Sequence, residues 1–313
     1  MTTASDQLLL RLEWRVLRRL DGRLQGAYRT AQRGAGLDLA GLRAYSEGDD
    51  ARHIDWNVTA RMDEPYLREF TEDREITAWL VLDRSASMAA GADGRGKDGT
   101  LTELALVLAR LLGRGGNRVG AVLYDTGAVR VVPPRTGRRQ ALVIATELER
   151  TAPRPAGPAP RRAARRRRGR GTGTTGSTTD LAAMLTSVAA LAQRRSLVLV
   201  LSDLIGVGDW ARPLLRLAQR HDVVALRIAD PVDDALPEVG LVVVQDAETG
   251  EQLVVDSGDP EFRAGLRAAA AAREAAIADG MRRAAVPVHR VGTDRDLAET
   301  LVEIVGRTGG RGR

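Results

Sequence analysis

The apolar run Ile76-Thr77-Ala78-Trp79-Leu80-Val81-Leu82 breaks into Asp83-Arg84-Ser85-Ala86-Ser87, which sets one carboxylate and two hydroxyls at alternate positions. Small oxygen donors gathered at one strand end suit a hard divalent cation, since magnesium and calcium take oxygen ligands. A loop leaving a strand aims residues i, i+2 and i+4 to one side, so the spacing favours convergence. The same residues also suit a Ser/Asp turn that caps the following helix. Two further segments put oxygens at element ends. Ser177-Thr178-Thr179-Asp180 precedes the amphipathic stretch from Leu181, and Ser202-Asp203 closes the apolar run Leu197–Leu201.

The elements that must carry these groups follow from hydrophobic periodicity. Strands are expected at Ile76–Leu82, Val119–Tyr124, Ala128–Val132, Leu197–Leu201, Val223–Ile228 and Val286–Val291, with a hairpin of Leu241–Val244 and Gln252–Val255. Helices are expected at Gln7–Leu20, Leu101–Leu112, Gln140–Leu148, Leu181–Ala192, Trp210–Gln219, Phe262–Met281 and Leu297–Val305. Alternation of this kind predicts an α/β fold, a mostly parallel sheet with helices on both faces. Ligands in such sheets gather beyond the carboxyl ends of the strands. Residues 1–70 are expected to hold a helix and an irregular, polar segment, and residues 71–230 the core. Residues 231–313 would supply a small β elaboration, a helix and the last strand. The Pro-, Arg- and Gly-rich run from Thr151 to Gly176 carries too little apolar surface to order itself, so 152–176 is expected to be a disordered insertion.

In chain order, Asp83-x-Ser85-x-Ser87, a threonine ahead of a helix and a strand-end aspartate resemble the metal-ion-dependent adhesion site of von Willebrand factor A-like domains. The resemblance implies a von Willebrand A-like (Rossmann-like) fold. It makes Ser85, Ser87 and Thr179 hydroxyl ligands, with Thr178 as the alternative threonine. Asp83 and Asp203 would hold magnesium (or manganese or calcium) directly or through water. Two carboxylates only just neutralise a dication, which leaves it electrophilic, with a position that a carboxylate from another molecule can enter. With no general base evident nearby, the set suits binding rather than hydrolysis, so no enzymatic activity is expected.

A second resemblance lies upstream. Tyr45-Ser46-Glu47-Gly48-Asp49-Asp50-Ala51-Arg52-His53-Ile54-Asp55-Trp56, followed by Ala60-Arg61, is similar to the YxxGDDxRxIDW…AR signature of the domain-of-unknown-function 58 family. Asp230-Pro231, Leu236-Pro237 and Glu248-Thr249-Gly250-Glu251 also resemble elements of that family. The departures are Ser177-Thr178, where glycines are common, and the arginine-rich insertion. Family resemblance implies a cytoplasmic adaptor that works with a MoxR-type AAA+ ATPase in protein or complex maturation, a client supplying the carboxylate. In physical terms, Asp49, Asp50, Arg52, Asp55 and Arg61 can form an ion-pair lattice holding this segment on the sheet, with Trp56 as apolar anchor. Contact with a partner is the other role open to them.

Composition excludes several classes. There is no cysteine, hence no disulfide or thiolate site, and His53, His221 and His289 have no metal-ligand spacing. Leu8-Leu9-Leu10, flanked by Asp6 and Glu13, is too short for a signal-peptide core. No apolar run approaches the roughly 18 residues of a membrane span. The net charge of +6 includes eight arginines between Arg154 and Arg170 and becomes −2 without them, so basicity belongs to one segment. Those arginines lack interleaved aromatics and offer phosphate contacts without base stacking, which makes nucleic-acid binding the rival function. Gly91-Ala92-Asp93-Gly94-Arg95-Gly96-Lys97 fits the phosphate-loop pattern GxxxxGK, but Asp98 stands where a magnesium-binding Ser/Thr belongs. A dehalogenase-type phosphatase would need an acid at Ser85, and a serine hydrolase would need GxSxG.

Overall fold

Residues 38–46, 49–62, 64–71, 76–89, 96–114, 116–125, 128–153, 179–206, 208–247 and 251–308 are described by a computed structural model. The expected helix at Gln7–Leu20, most of the arginine-rich insertion, Gly48, Gly91–Arg95 and Thr178 lie outside these residues. The chain divides into two compact units, one containing Ile76–Leu301 and a smaller one whose described residues are 38–46, 49–62, 64–71 and 302–308.

The smaller unit corrects the expectation of an irregular segment. Strand β1 (Asp38–Ala44) pairs antiparallel with β2 (Tyr66–Thr71), and a short helix α1 (Trp56–Met62) lies between them in sequence. Both strands are rich in charged and small residues and lack a clean alternation, so periodicity alone does not reveal them.

The larger unit is built on a six-stranded sheet. Strand β3 (Thr77–Asp83) is followed by a single helical turn, α2 (Ala86–Ala89), and the long helix α3 (Gly96–Arg114). Next come β4 (Arg118–Asp125), β5 (Ala128–Arg135) and α4 (Arg138–Arg150). Beyond the insertion, α5 (Leu181–Leu191), β6 (Leu197–Ser202), α6 (Ala211–Arg220) and β7 (Asp222–Ala229) continue the alternation. The hairpin β8 (Leu241–Gln245) and β9 (Gln252–Asp256) stands apart as its own two-stranded sheet. Helix α7 (Pro260–Ala284), β10 (Val288–Gly292) and α8 (Leu297–Thr308) complete the chain.

Strand order is β10-β7-β6-β3-β4-β5, all neighbours parallel except the antiparallel β4–β5 edge pair. This is the mixed α/β, mostly parallel architecture expected from the pattern. Residues Ala78 to Asp83 of β3 are buried on both faces, as a central parallel strand requires. Trp79 and Val81 join a core with Leu185 and Val188 of α5, Leu214 and Leu217 of α6 and Ile277 of α7. By the pleat, Leu80 and Leu82 point the other way. Helix α3 packs on the sheet and on α4, with Leu101, Leu104, Ile144 and Leu148 fully enclosed. Pro133 and Pro134 lie in β5, the outermost strand, where their missing donors cost least.

Candidate metal centre

The chain builds β4 and β5 on one side of β3 and β6, β7 and β10 on the other. The carboxyl ends of β3 and β6 therefore flank the point where the strand order reverses, the usual place for a ligand in an open α/β sheet. Asp83 ends β3, and Ser202-Asp203 ends β6.

Asp83 is completely buried, and its two oxygens are both engaged. The Ser85 backbone N–H donates to Oδ1 at 3.0 Å, and the Ser202 hydroxyl donates to Oδ2 at 2.6 Å. The first contact turns the chain sharply, and the Ser85 carbonyl then accepts from Met88 N to open α2. Ser87 is thereby folded back until its Oγ is 3.0 Å from Ser85 Oγ. The alternate residues converge through this turn and helix rather than through a continued strand. Burial, and secondly the charge of Asp203, push the Asp83 carboxyl up to about 6, against the opposing hydrogen bonds from Ser202 and Ser85.

The β6 end is a tight turn. Ser202 Oγ accepts from Leu204 N and Asp203 Oδ1 from Ile205 N, at 2.9 and 3.0 Å. Leu204 has φ +59°, a left-handed conformation that costs a branched residue about 1–3 kcal/mol and persists only where the surroundings enforce it. Its side chain is locked in the core beside Leu181 and Trp210. Arg227 Nε donates to the Asp203 carbonyl at 3.2 Å, fixing that backbone from β7. Gly206 lets the loop after β6 meet the loop before α5: a Cβ there would stand 2.7 Å from the Thr179 carbonyl oxygen. Thr179 is fully buried at that contact, and Asp180 accepts from Ala183 N to cap α5.

The structure thus brings Asp83, Ser85, Ser87 and Asp203 to one end of the sheet, with Thr179 beside the Asp203 turn. Hard oxygens dominate the set, and each ligand-type carboxylate keeps lone pairs beyond those used in its hydrogen bonds, so the donors suit a magnesium-type ion. Among the described residues no three acidic or histidine side chains group as a metal cluster, so an ion held here would take hydroxyls as its remaining protein ligands.

Several contributors stand outside the ligand set that the sequence implies. Lys97, the only lysine in the chain, donates from Nζ to Asp203 Oδ2 at 3.0 Å and to Asp233 Oδ2 at 3.1 Å. Burial disfavours its charged form, but these two carboxylates outweigh burial and hold the ammonium above its usual range. Arg84, enclosed between the ligand-type residues in sequence, donates to the carbonyls of Leu148 and Thr151 at 3.0 Å each and pairs with Asp98. Lys97, which fits the phosphate-loop pattern, and Asp98, which breaks it, are therefore engaged with internal carboxylate and guanidinium partners. Ser202 stood next to a recognised ligand, and its strand-end hydroxyl was the only signal for it.

The signature residues have local duties. Asp49 makes two 2.7 Å bonds with Arg43, which hold its carboxyl below the usual range, and its carbonyl accepts from the Tyr45 hydroxyl at 3.2 Å. Asp50 caps a 3₁₀ turn through Arg52 N and pairs with the Arg52 side chain at 2.8 Å. Asp55 Oδ1 accepts from Asn57 N and Val58 N, which caps α1. Trp56 is 68 % exposed, which overturns its expected role as an apolar anchor, and Arg61 is exposed on the same helix. Position N1 of a capped helix presents its side chain outward here, while Leu67 of β2 is the buried apolar residue.

The sequence profile described as "Protein of unknown function DUF58" matches residues 41–276, which include every candidate ligand and Lys97. Uncharacterized protein Rv1480 of Mycobacterium tuberculosis is 36% identical over 294 residues, covering 94% of this chain and 86% of that protein. Uncharacterized protein Mb1516 of Mycobacterium bovis shows the same identity and coverage. Among solved structures, an aerotolerance-related membrane protein from Bacteroides fragilis aligns with 75% of this chain and 99% of its own, at 13% identity and TM-score 0.45. Conserved hypothetical protein BatB from Bacteroides thetaiotaomicron aligns over the same shares, at 14% identity and TM-score 0.44. Among the described residues no helix is long and apolar enough to cross a membrane.

Proposed function

The chain belongs to the DUF58 family, and from that premise we propose that it is a metal-dependent protein-binding adaptor rather than an enzyme. The observation that carries this reading is the buried oxygen set at the carboxyl ends of β3 and β6, where Asp83, Ser85, Ser87, Thr179 and Asp203 are all nearly inaccessible. A bound magnesium-type ion would supply an electrophilic position for a carboxylate brought by another protein. This chain's own residues do the positioning. The Ser202 hydroxyl and Ser85 N–H hold Asp83, and Arg227 holds the Asp203 backbone. Cytoplasmic residence and a MoxR-type AAA+ ATPase as the cognate partner complete the proposal, with ATP chemistry confined to that partner.

Calorimetry with magnesium and manganese on the wild type and on Asp83→Ala plus Ser85→Ala tests the site. Binding by the wild type and its loss in a variant that still melts cooperatively is the expected result; equal binding by both removes the site. A pull-down of the purified ATPase with and without chelator tests the bridging role, and capture indifferent to chelator argues against it.

A further inference from the structure

Lys97 stands where a metal centre should hold no fixed cation. Its ammonium lies 3.0 Å from Asp203 Oδ2, and the two side chains are 2 % and 1 % exposed. A dication and an ammonium cannot both sit against one buried carboxylate without strong mutual repulsion, because a low-polarity interior screens charge poorly. The lysine is not held by Asp203 alone. Asp233 offers a second station at 3.1 and 3.3 Å and is 26 % exposed, so it opens towards solvent.

The surrounding geometry lets the side chain move while its backbone stays. Lys97 lies in the first turn of α3, after Gly96 at φ +57°. That turn is pinned by the Arg84–Asp98 pair and by Leu101 and Leu104 in the core. Asp233 is equally fixed. Asp230 caps its turn through Val232 N and accepts from Thr293 Oγ1, and Arg273 donates to the Asp233 carbonyl at 2.6 Å. A flexible four-carbon stem bearing a point charge is suited to shifting between two such fixed carboxylates.

We propose that Lys97 is a tethered counter-cation that competes with the divalent ion for Asp203. Entry of the ion moves the ammonium wholly onto Asp233, and loss of the ion lets it return. The competition rests on the metal-binding reading above and adds what sets the affinity of that site. It also keeps the buried carboxylates from being left without a positive partner when no metal is bound.

The test is magnesium and manganese calorimetry on the wild type, Lys97→Met, Lys97→Arg, Asp83→Ala and the double variant Lys97→Met with Asp83→Ala. Lys97→Met is expected to tighten binding on the order of tenfold or more, and Lys97→Arg, which keeps the charge, to leave it weak. Tightening that Asp83→Ala abolishes in the Lys97→Met background supports the competition. Equal affinity of wild type and Lys97→Met, both lost with Asp83→Ala, overturns the competition and leaves the metal site standing. No binding by any form overturns both. Should Lys97→Met fail to fold, the wild type gives the answer by amine-reactive labelling read by mass spectrometry, since Lys97 is the only lysine. Labelling that rises when manganese is bound supports the displacement; unchanged labelling of metal-bound protein refutes it.

Discussion

A buried carboxylate needs either hydrogen bonds or an opposite charge, and Asp83 and Asp203 divide these solutions between them. Asp83 is held by the Ser85 N–H and the Ser202 hydroxyl, whereas Asp203 takes the Lys97 ammonium. A further buried titratable residue lies well away in sequence, at the end of α6. His221 is 4 % exposed, and burial, with the Arg220 charge second, lowers its pKa from 6.5 against the pull of Asp222 and the Arg194 carbonyl. A base whose folded pKa is depressed leaves the unfolded chain to bind the proton first as pH falls. Its stabilising contribution is therefore complete above about pH 6.5 and is lost as pH drops through the window beneath. Urea unfolding at about pH 7 and about pH 5 should show a smaller loss of stability in His221→Leu than in the wild type. Identical losses in the two proteins would assign the acid sensitivity elsewhere.

At the scale of elements, α7 meets the start of α6 through one close approach. Gly280 of α7 lies against Trp210, and a Cβ there would come within 2.6 Å of the indole ring. Gly280→Ala gains helix propensity of about 1 kcal/mol, but the overpacking costs about 1–3 kcal/mol. Because Trp210 is embedded in the core, the expected net effect is destabilisation, relieved in part by a second change, Trp210→Phe. Denaturant midpoints of the two variants check this, and a more stable Gly280→Ala would show that the ring moves freely. The core strands are legible because burial on both faces writes continuous apolar runs into Thr77–Asp83 and Leu197–Ser202, and the helices because burial on one face writes a helical period. Strands β1 and β2 are not, since charged residues occupy them and no periodic face marks them. The site was half legible for a related reason. Asp83, Ser85 and Ser87 announce themselves by local spacing, whereas Lys97 reaches Asp203 across 106 positions. Only the completed sheet order makes them neighbours.

For the larger unit as a whole, the sheet is two sub-sheets joined at β3 and β6. Strand β3 meets β4 from Thr77↔Arg118 onward, a short closure, while it meets β6 from Ala78↔Leu197. Loop-closure entropy grows with the length enclosed, so the β3–β4–β5 half is expected to pair first and the central junction last. The bond from Ser202 to Asp83 spans 119 positions across that junction. Its removal in Ser202→Ala should cost about 1–3 kcal/mol, nearly all of it appearing as faster unfolding, with the refolding rate scarcely changed. Stopped-flow fluorescence of the buried Trp79 and Trp210 can follow both limbs, and a proportionate slowing of refolding would place the junction in the folding nucleus instead. The pairing of Ser202 with Asp83 is then a latch closed at the end of folding: it governs how long the finished molecule lasts rather than how quickly it is made.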